Sequence, residues 1–389
     1  MKLFHCDNCG NVAFFENVKC LHCGSTLAFL PDRLSLNAIE PEPDAQGMWR
    51  RIRKSRPTTR QYRLCQNSTD QEACNFAIPA ADPNALCVCC RLTQMVPDLS
   101  IPGNHERWFR VELAKRRLFY TLAKLGLASV NPPDGQSDGP VFQFLADVPG
   151  QRVMTGHFNG VITLNVAEAD DDERVKRRLE LREPYRTLLG HLRHESGHFY
   201  WDKLIRDAGR QQDFRAVFGD EQADYGQALQ NYYATGAPAG WEDRFVSAYS
   251  TAHPWEDWAE TWAHYLHMVD LLETAASYNT RLTVPGGDDH IDEEVANPFE
   301  AGPKNFDPLV EQWVPLTLLL NSLNRSLGQD DAYPFALSAA ALSKLRFIHD
   351  LIQSPHAEIS AAPQAENPPQ MAAWSEPQTQ AIPASAESG

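Results

Sequence analysis

Beyond about residue 100 the apolar positions of the chain recur at helical spacing. Trp108, Val111, Leu118, Leu122 and Leu125 form one stripe, with Asn104 ahead of it as an N-cap and Gly126 behind it as a helix stop. A second helix is predicted over 184–205. A third opens at Pro254, after which Trp255, Trp258, Trp262 and Tyr265 repeat every three or four residues and read as core. Between the first two helices the period shortens. Residues 141–145, 153–158 and 161–166 read as strands, the last two joined by Asn159-Gly160, a hairpin turn signal. Helical character then continues to about residue 352. The fold class expected is therefore α+β, a mainly helical body over 99–352 carrying a small antiparallel sheet. Residues 353–389 contain no Lys or Arg and are rich in Pro, Ala, Gln and Glu, so they read as a disordered tail. The longest apolar run, 314–320, contains Pro315 and falls far short of the ~20 residues of a membrane span.

The cysteines change the picture of the first quarter. There are nine among 389 residues, an odd number, and all lie at or before Cys90. A disulfide scaffold would be short, with cysteines spread through it. Cys6-x2-Cys9 and Cys20-x2-Cys23 are each followed by glycine (Gly10, Gly24), which lets the backbone turn beneath a metal. These four thiolates predict a structural zinc ribbon over 1–30, a module too short to fold without metal. Cys65, Cys74, Cys87 and Cys90 predict a second four-cysteine zinc module over 61–98. Cys89 is then left over, unless it replaces Cys87 or Cys90 as a ligand. Residues 31–60, with Pro31, Pro41, Pro43 and Pro57, read as a linker with a basic end: Arg50, Arg51, Arg53, Lys54, Arg56, Arg60 and, just beyond, Arg63. Beside a zinc ribbon this run could bind nucleic-acid phosphates; the plainer reading is a solvated connector. The net charge of −16 argues against wholesale nucleic-acid coating. The first cysteine pair arrives before any apolar export-signal core could fit, so a reduced, cytoplasmic chain is expected.

The candidate chemistry lies where cysteines are absent. His194-Glu195-Ser196-Gly197-His198 is an HExxH sequence inside a predicted helix. A spacing of four puts both imidazoles on one face, able to chelate one zinc, with Glu195 placed to accept a proton from water and return it to a leaving amine. A metzincin would continue to a glycine and a third histidine, but Trp201 and Leu204 stand there. Downstream, Glu256 and Glu260 sit one turn apart in the helix opened by His253-Pro254. One carboxylate can bind zinc while the other accepts a hydrogen bond from the distal nitrogen of a ligand histidine. His191 shares the HExxH face and could support a ligand or itself be an alternative ligand; the favoured reading is a hydrogen-bonded helix histidine. His264 and His267 read as core or cleft-lining, His157 and His253 as cleft-lining or solvent-exposed, and the acidic runs 170–173 and 288–294 as solvated surface.

The helix pair resembles the gluzincin metallopeptidases, and Tyr249, seven residues before Glu256, is placed like the active-site tyrosine of their lethal-factor-like branch. The N-terminal zinc ribbon, the stretch LCVCCRL, and RHESGHFYW followed by HPWEDWAETWAHYLH resemble a bacterial family described as "putative zinc-binding metallopeptidases", over nearly the whole chain except the tail. The resemblance implies a gluzincin-like domain with Glu256 as third ligand, Glu260 beside the ligand histidine and Tyr249 stabilising an oxyanion. It also implies that residues 153–165 border the cleft and pair with extended substrate, unless they form a plain hairpin. The expected activity is zinc-dependent hydrolysis of a peptide or isopeptide bond in a peptide or protein substrate, with one catalytic and two structural zincs. The rival is a zinc-ribbon interaction or nucleic-acid adaptor carrying an inactive metallopeptidase-like domain.

Overall fold

The computed structural model describes residues 2–52, 60–130, 132, 139–174, 187–283, 293–300 and 305–354. The tail predicted from 353 lies, beyond Ser354, outside the described residues, as do Arg53, Lys54 and Arg56.

The N-terminal quarter is built on turns that its glycines permit. Gly10 and Gly24 both have positive φ, and each amide bonds back to the first cysteine of its pair (Gly10 N to Cys6 O, Gly24 N to Cys20 O). The first knuckle joins β1 (Phe4–His5) to β2 (Val12–Ala13). A five-stranded antiparallel sheet follows in sequential order: β3 (Thr26–Leu30), β4 (Ser35–Pro41), β5 (Trp49–Arg51), β6 (Gln61–Leu64) and β7 (Ala77–Pro79). This corrects the linker expected over 31–60, since β4 and β5 lie within it. Two of its prolines sit where a missing N–H costs nothing: Pro31 opens a short 3-10 turn and Pro41 ends β4. The second cysteine group hangs from the same sheet, Cys65 directly after β6 and Cys74 just before β7. The two cysteine modules are thus one structural unit.

The described residues of the basic end are engaged. Arg50 pairs with Glu40 (2.9 Å) and Glu42 (3.4 Å), Arg51 with Asp7 (2.5 Å) and Arg60 with Asp32 (2.5 Å). Arg63 donates to the carbonyls of Asp82 and Asn84.

The second sheet runs in the order β10-β11-β9-β8, formed by β8 (Thr93–Met95), β9 (Val141–Leu145), β10 (Gly156–Phe158) and β11 (Val161–Asn165). The predicted hairpin is present, with Asn159 and Gly160 both at positive φ. The sheet is mixed, however. Only β10–β11 is antiparallel; β9 pairs in parallel with both β11 and β8. Residues 153–155 are also outside the strand, because Val153 N donates to the Asp147 carboxylate and the Thr155 hydroxyl to that of Glu168.

Among the described residues, seven longer helices complete the body: α1 (Asn104–Lys124), α2 (Leu188–Trp201), α3 (Gln211–Phe218), α4 (Tyr225–Thr235), α5 (Pro254–Ser277), α6 (Phe306–Ser326) and α7 (Ala339–Gln353). In α1 the cap falls one residue early, on Gly103, while Asn104 is the first helical residue and bonds the Asp98 carbonyl. Thr187 caps α2, whose last turn widens into a π-helix over Asp202–Arg206. The central element is α5. Trp258 and Trp262 are fully buried, Lys344 of α7 pairs with the buried Asp257 at 2.6 Å, and Asp270 takes both Arg193 of α2 and the Thr121 hydroxyl of α1. The N-terminal unit shares this core. Phe4, Phe15, Phe29 and Phe76 cluster against Tyr120 of α1, and the amides of Lys2 and Leu3 bond Glu273 and Ser277 at the end of α5. Among the described residues, no helix is long and apolar enough to cross a membrane.

Candidate metal centres

The first centre depends on how closely α2 and α5 cross. A Cβ on Gly197 would meet the Ala259 Cα at 2.9 Å and Trp262 side-chain atoms at 3.2 Å, so only glycine allows this approach. The tryptophans of α5 also hold the backbone of α2 in place. Trp258 donates to the Gly197 carbonyl at 2.8 Å and Trp262 to the Ser196 hydroxyl at 3.1 Å. The crossing sets the HExxH turn against the first turn of α5, which His253 caps by accepting from Trp255 N.

Here His194, His198 and Glu256 offer ligand atoms within 4.8 Å of one another. Glu256 Oε2 is 3.0 Å from His194 Nε2 and 3.6 Å from His198 Nε2. A tetrahedral zinc with bonds of ~2.0–2.1 Å to nitrogen and oxygen sets its ligand atoms ~3.3–3.4 Å apart, between those two distances. The hydrogen bonding supports a cation between them. His194 Nδ1 is 2.6 Å from Glu260 Oε1 and donates to it, which in a neutral ring leaves Nε2 with a lone pair facing a carboxylate oxygen. Glu256 Oε2 is itself buried without a hydrogen bond of sound geometry. The other groups are braced: Tyr225 donates to Glu256 Oε1 and Ser247 to Glu260 Oε2, each at 2.6 Å. Burial works against a charged imidazole at His194, yet the carboxylates of Glu256 and Glu260 raise its pKa well above the usual value. Burial likewise opposes charge on Glu256, and His198 and His194 overcome it, holding that carboxyl far below its ordinary range.

Glu195 lies on the same turn. Burial would raise its pKa, but a hydrogen bond from His191 and the surrounding imidazoles lower it to about 2, so it is a carboxylate. His191 is the hydrogen-bonded helix histidine expected, 3.1 Å from Glu195 and 2.7 Å from the buried Glu168. Tyr249 starts a 3-10 turn before α5, its ring 5.9 Å from that of His194 and packed on Tyr232. His157, on the outer strand β10, is buried and stacks 6.2 Å from His198. His253 is buried in its capping role, His264 is buried and bonded to Tyr333, and the half-buried His267 is bonded to Arg193. Sequence reading missed Glu168, Tyr225 and Ser247. Each reaches the centre from a separate segment, and no spacing along the chain announces it.

The other two centres are cysteine clusters, Cys6–Cys9–Cys20–Cys23 and Cys65–Cys74–Cys87–Cys90. Sulfur–sulfur distances are 3.6 and 3.7 Å in the first and 3.6 and 3.8 Å in the second. Zn–S bonds of ~2.3 Å in a tetrahedron place sulfurs ~3.8 Å apart, so both clusters fit zinc. Cys89 is the thiol left out; burial pushes its pKa well above the usual value. The second cluster is enclosed by α1, which brings buried Lys115 and Arg116 beside it. Burial disfavours both charges, and the neighbouring thiolates and Glu112 sustain them.

Comparison with known proteins agrees with this division. A family profile described as "Putative zinc-binding metallo-peptidase" matches residues 104–351, starting at the first residue of α1. A zinc-ribbon domain profile matches residues 3–101, spanning both cysteine clusters as one unit. Uncharacterized proteins of Mycobacterium tuberculosis (strains H37Rv and CDC 1551) and Mycobacterium bovis are each 42% identical over 353 residues, covering 90% of this chain and 95% of the relative. No solved structure matches the chain. With a cysteine-rich zinc-ribbon unit at its N terminus and a helical body holding a histidine–glutamate centre, the chain belongs to the putative zinc-binding metallopeptidase family.

Proposed function

We propose that the protein is a zinc-dependent peptidase of the gluzincin type, cutting a peptide or isopeptide bond with one catalytic and two structural zincs. The observation that carries this reading is the convergence of two imidazoles and a buried, otherwise unbonded carboxylate oxygen beside the ionised Glu195. Zinc held by His194, His198 and Glu256 would polarise the scissile carbonyl and acidify water at the open position. The protein groups do the rest. Glu195 accepts the proton of the attacking water and returns it to the leaving amine. Glu260 and Ser247 fix the His194 ring, and Tyr225 fixes Glu256. Tyr249, beside His194, is the donor for the oxyanion. The outer strand β10, beside α2, offers an edge on which an extended peptide can pair.

The engaged state of Arg50, Arg51, Arg60 and Arg63 supports this reading over a nucleic-acid adaptor. Eight cysteines that hold zinc as thiolates, with Cys89 a buried thiol, suit a reducing compartment, the cytoplasm. Glu195→Gln tests the mechanism: it should keep the same zinc content as the wild type and lose cleavage of a peptide library. Undiminished turnover in that variant would exclude Glu195 as the base.

A further inference from the structure

Glu168 lies in the turn Val166–Ala169 after the β10–β11 hairpin and is buried. A carboxylate stays charged inside a protein only when its oxygens are hydrogen-bonded. Its Oε1 accepts from the Thr155 hydroxyl at 2.6 Å, and its Oε2 is 2.7 Å from His191 Nδ1. The other ring nitrogen, His191 Nε2, is 3.1 Å from Glu195 Oε1, one turn further along α2. Glu195 is ionised and can only accept, so His191 Nε2 donates to it, and Nδ1 faces Glu168. The far end of the row is tied to backbone: Thr155 Oγ1 accepts from Asn165 N at 3.1 Å, and the Asn165 side chain bonds Asp147 and the Val153 carbonyl. Apolar packing between α2 and the hairpin needs none of these polar groups, and burying them carries a desolvation cost. The row terminates on the candidate base.

We propose that Glu168 and His191 are positioning residues for Glu195. Glu168 fixes the His191 ring, and His191 pins Glu195 Oε1, so that Oε2 is the atom that takes up and returns the proton. This inference rests on the peptidase reading, and the two can fail separately.

His191→Leu should lower kcat by ~10–100-fold, the usual loss when a partner of a site residue is removed, with KM within about twofold and zinc content unchanged. Glu168→Gln should move kcat in the same direction. The double variant should be no slower than His191→Leu alone, because Glu168 acts only through His191. His191→Gln, whose amide can still donate to a glutamate four residues on, should recover most of the loss. Additive losses, or losses that follow zinc content or melting temperature, would overturn the proposal in favour of a merely structural row. A crystal structure of His191→Leu decides the matter even if no substrate is cleaved. The Glu195 carboxylate should leave its wild-type rotamer there, and an unmoved carboxylate refutes the positioning role. Full activity of Glu195→Gln would instead exclude Glu195 as the base, whereas a zinc-loaded wild type that cleaves no peptide would refute the peptidase reading and leave the rotamer result standing.

Discussion

Gly197→Ala is the sharpest single test of how the fold builds the histidine–glutamate centre. The added methyl would stand 2.9 Å from the Ala259 Cα, where ordinary contact begins at 3.4 Å, so α2 and α5 must part by about half an ångström. The obstruction is backbone and cannot rotate away. Overpacking of this kind costs ~1–3 kcal/mol, and the better helix propensity of alanine returns about 1 kcal/mol. A net loss of ~1 kcal/mol should lower the melting temperature by roughly 2–4 °C for a domain of this size. The larger effect falls on metal binding. Glu256 leaves α5 one turn before Ala259, so the parting stretches its spacings of 3.0 and 3.6 Å to the two imidazoles. A shift of half an ångström exceeds the ~0.2 Å tolerance of a zinc site. Zinc affinity at this centre should drop ~10–100-fold, as it does when outer partners of zinc ligands are lost. The assay is chelator competition with zinc counted per chain, and both cysteine clusters should titrate as in the wild type. A titration superimposable on wild type, with the melting temperature unchanged, would refute the claim that glycine is required by the helix crossing.

Three other outcomes follow from particular contacts. Tyr225→Phe removes the 2.6 Å donor to Glu256 Oε1 and should weaken zinc at that centre alone by ~10-fold or more, read by the same competition. Arg116→Met removes a buried cation beside Cys74 and Cys90, where four thiolates around Zn2+ leave about −2. The second cluster should then release zinc at lower chelator concentration than the first, and equal release from both would contradict the assigned compensation. His264, buried against Tyr333, has its pKa pushed down to about 4 by desolvation. Between about pH 6.5 and 4 the unfolded chain binds a proton that the folded chain refuses, so stability falls as pH falls through that window. Urea unfolding of His264→Gln between pH 7 and 4.5 should show a shallower pH slope than wild type. An unchanged slope would show that His264 is not the group responsible.

The site was legible in the sequence wherever its geometry is local. Four-residue spacing on a helix is a fixed displacement, so His194 with His198 and Glu256 with Glu260 could each be assigned to one face without a fold. A Cys-x2-Cys followed by glycine is likewise a self-contained turn, which is why the first cluster was legible; the second also assembled from the expected residues with Cys89 left over, but the sheet brings Cys65 and Cys74 to it. Three helices followed from period, with the starts of α1 and α5 within a residue of expectation, whereas α3, α4, α6 and α7 were foreseen only as helical character to about residue 352.

What only the tertiary structure decided are the relations between segments. The stretch 31–60 resembled a linker because its prolines were counted without their partners; sheet pairing placed Pro31 and Pro41 at strand ends and joined two cysteine modules into one unit. The parallel pairing of β9 with β11 and β8 depends on a crossover that strand patterns do not encode. Glu168, Tyr225 and Ser247 are polar residues of ordinary appearance until three separate loops and helices bring them to the centre. Sequence alone therefore determined which side chains can hold metal, because chelate spacing is set by covalent and helical geometry. Tertiary structure decided which groups orient them and how near the two ligand helices stand, because hydrogen bonds and close packing between distant segments exist only once the chain has folded.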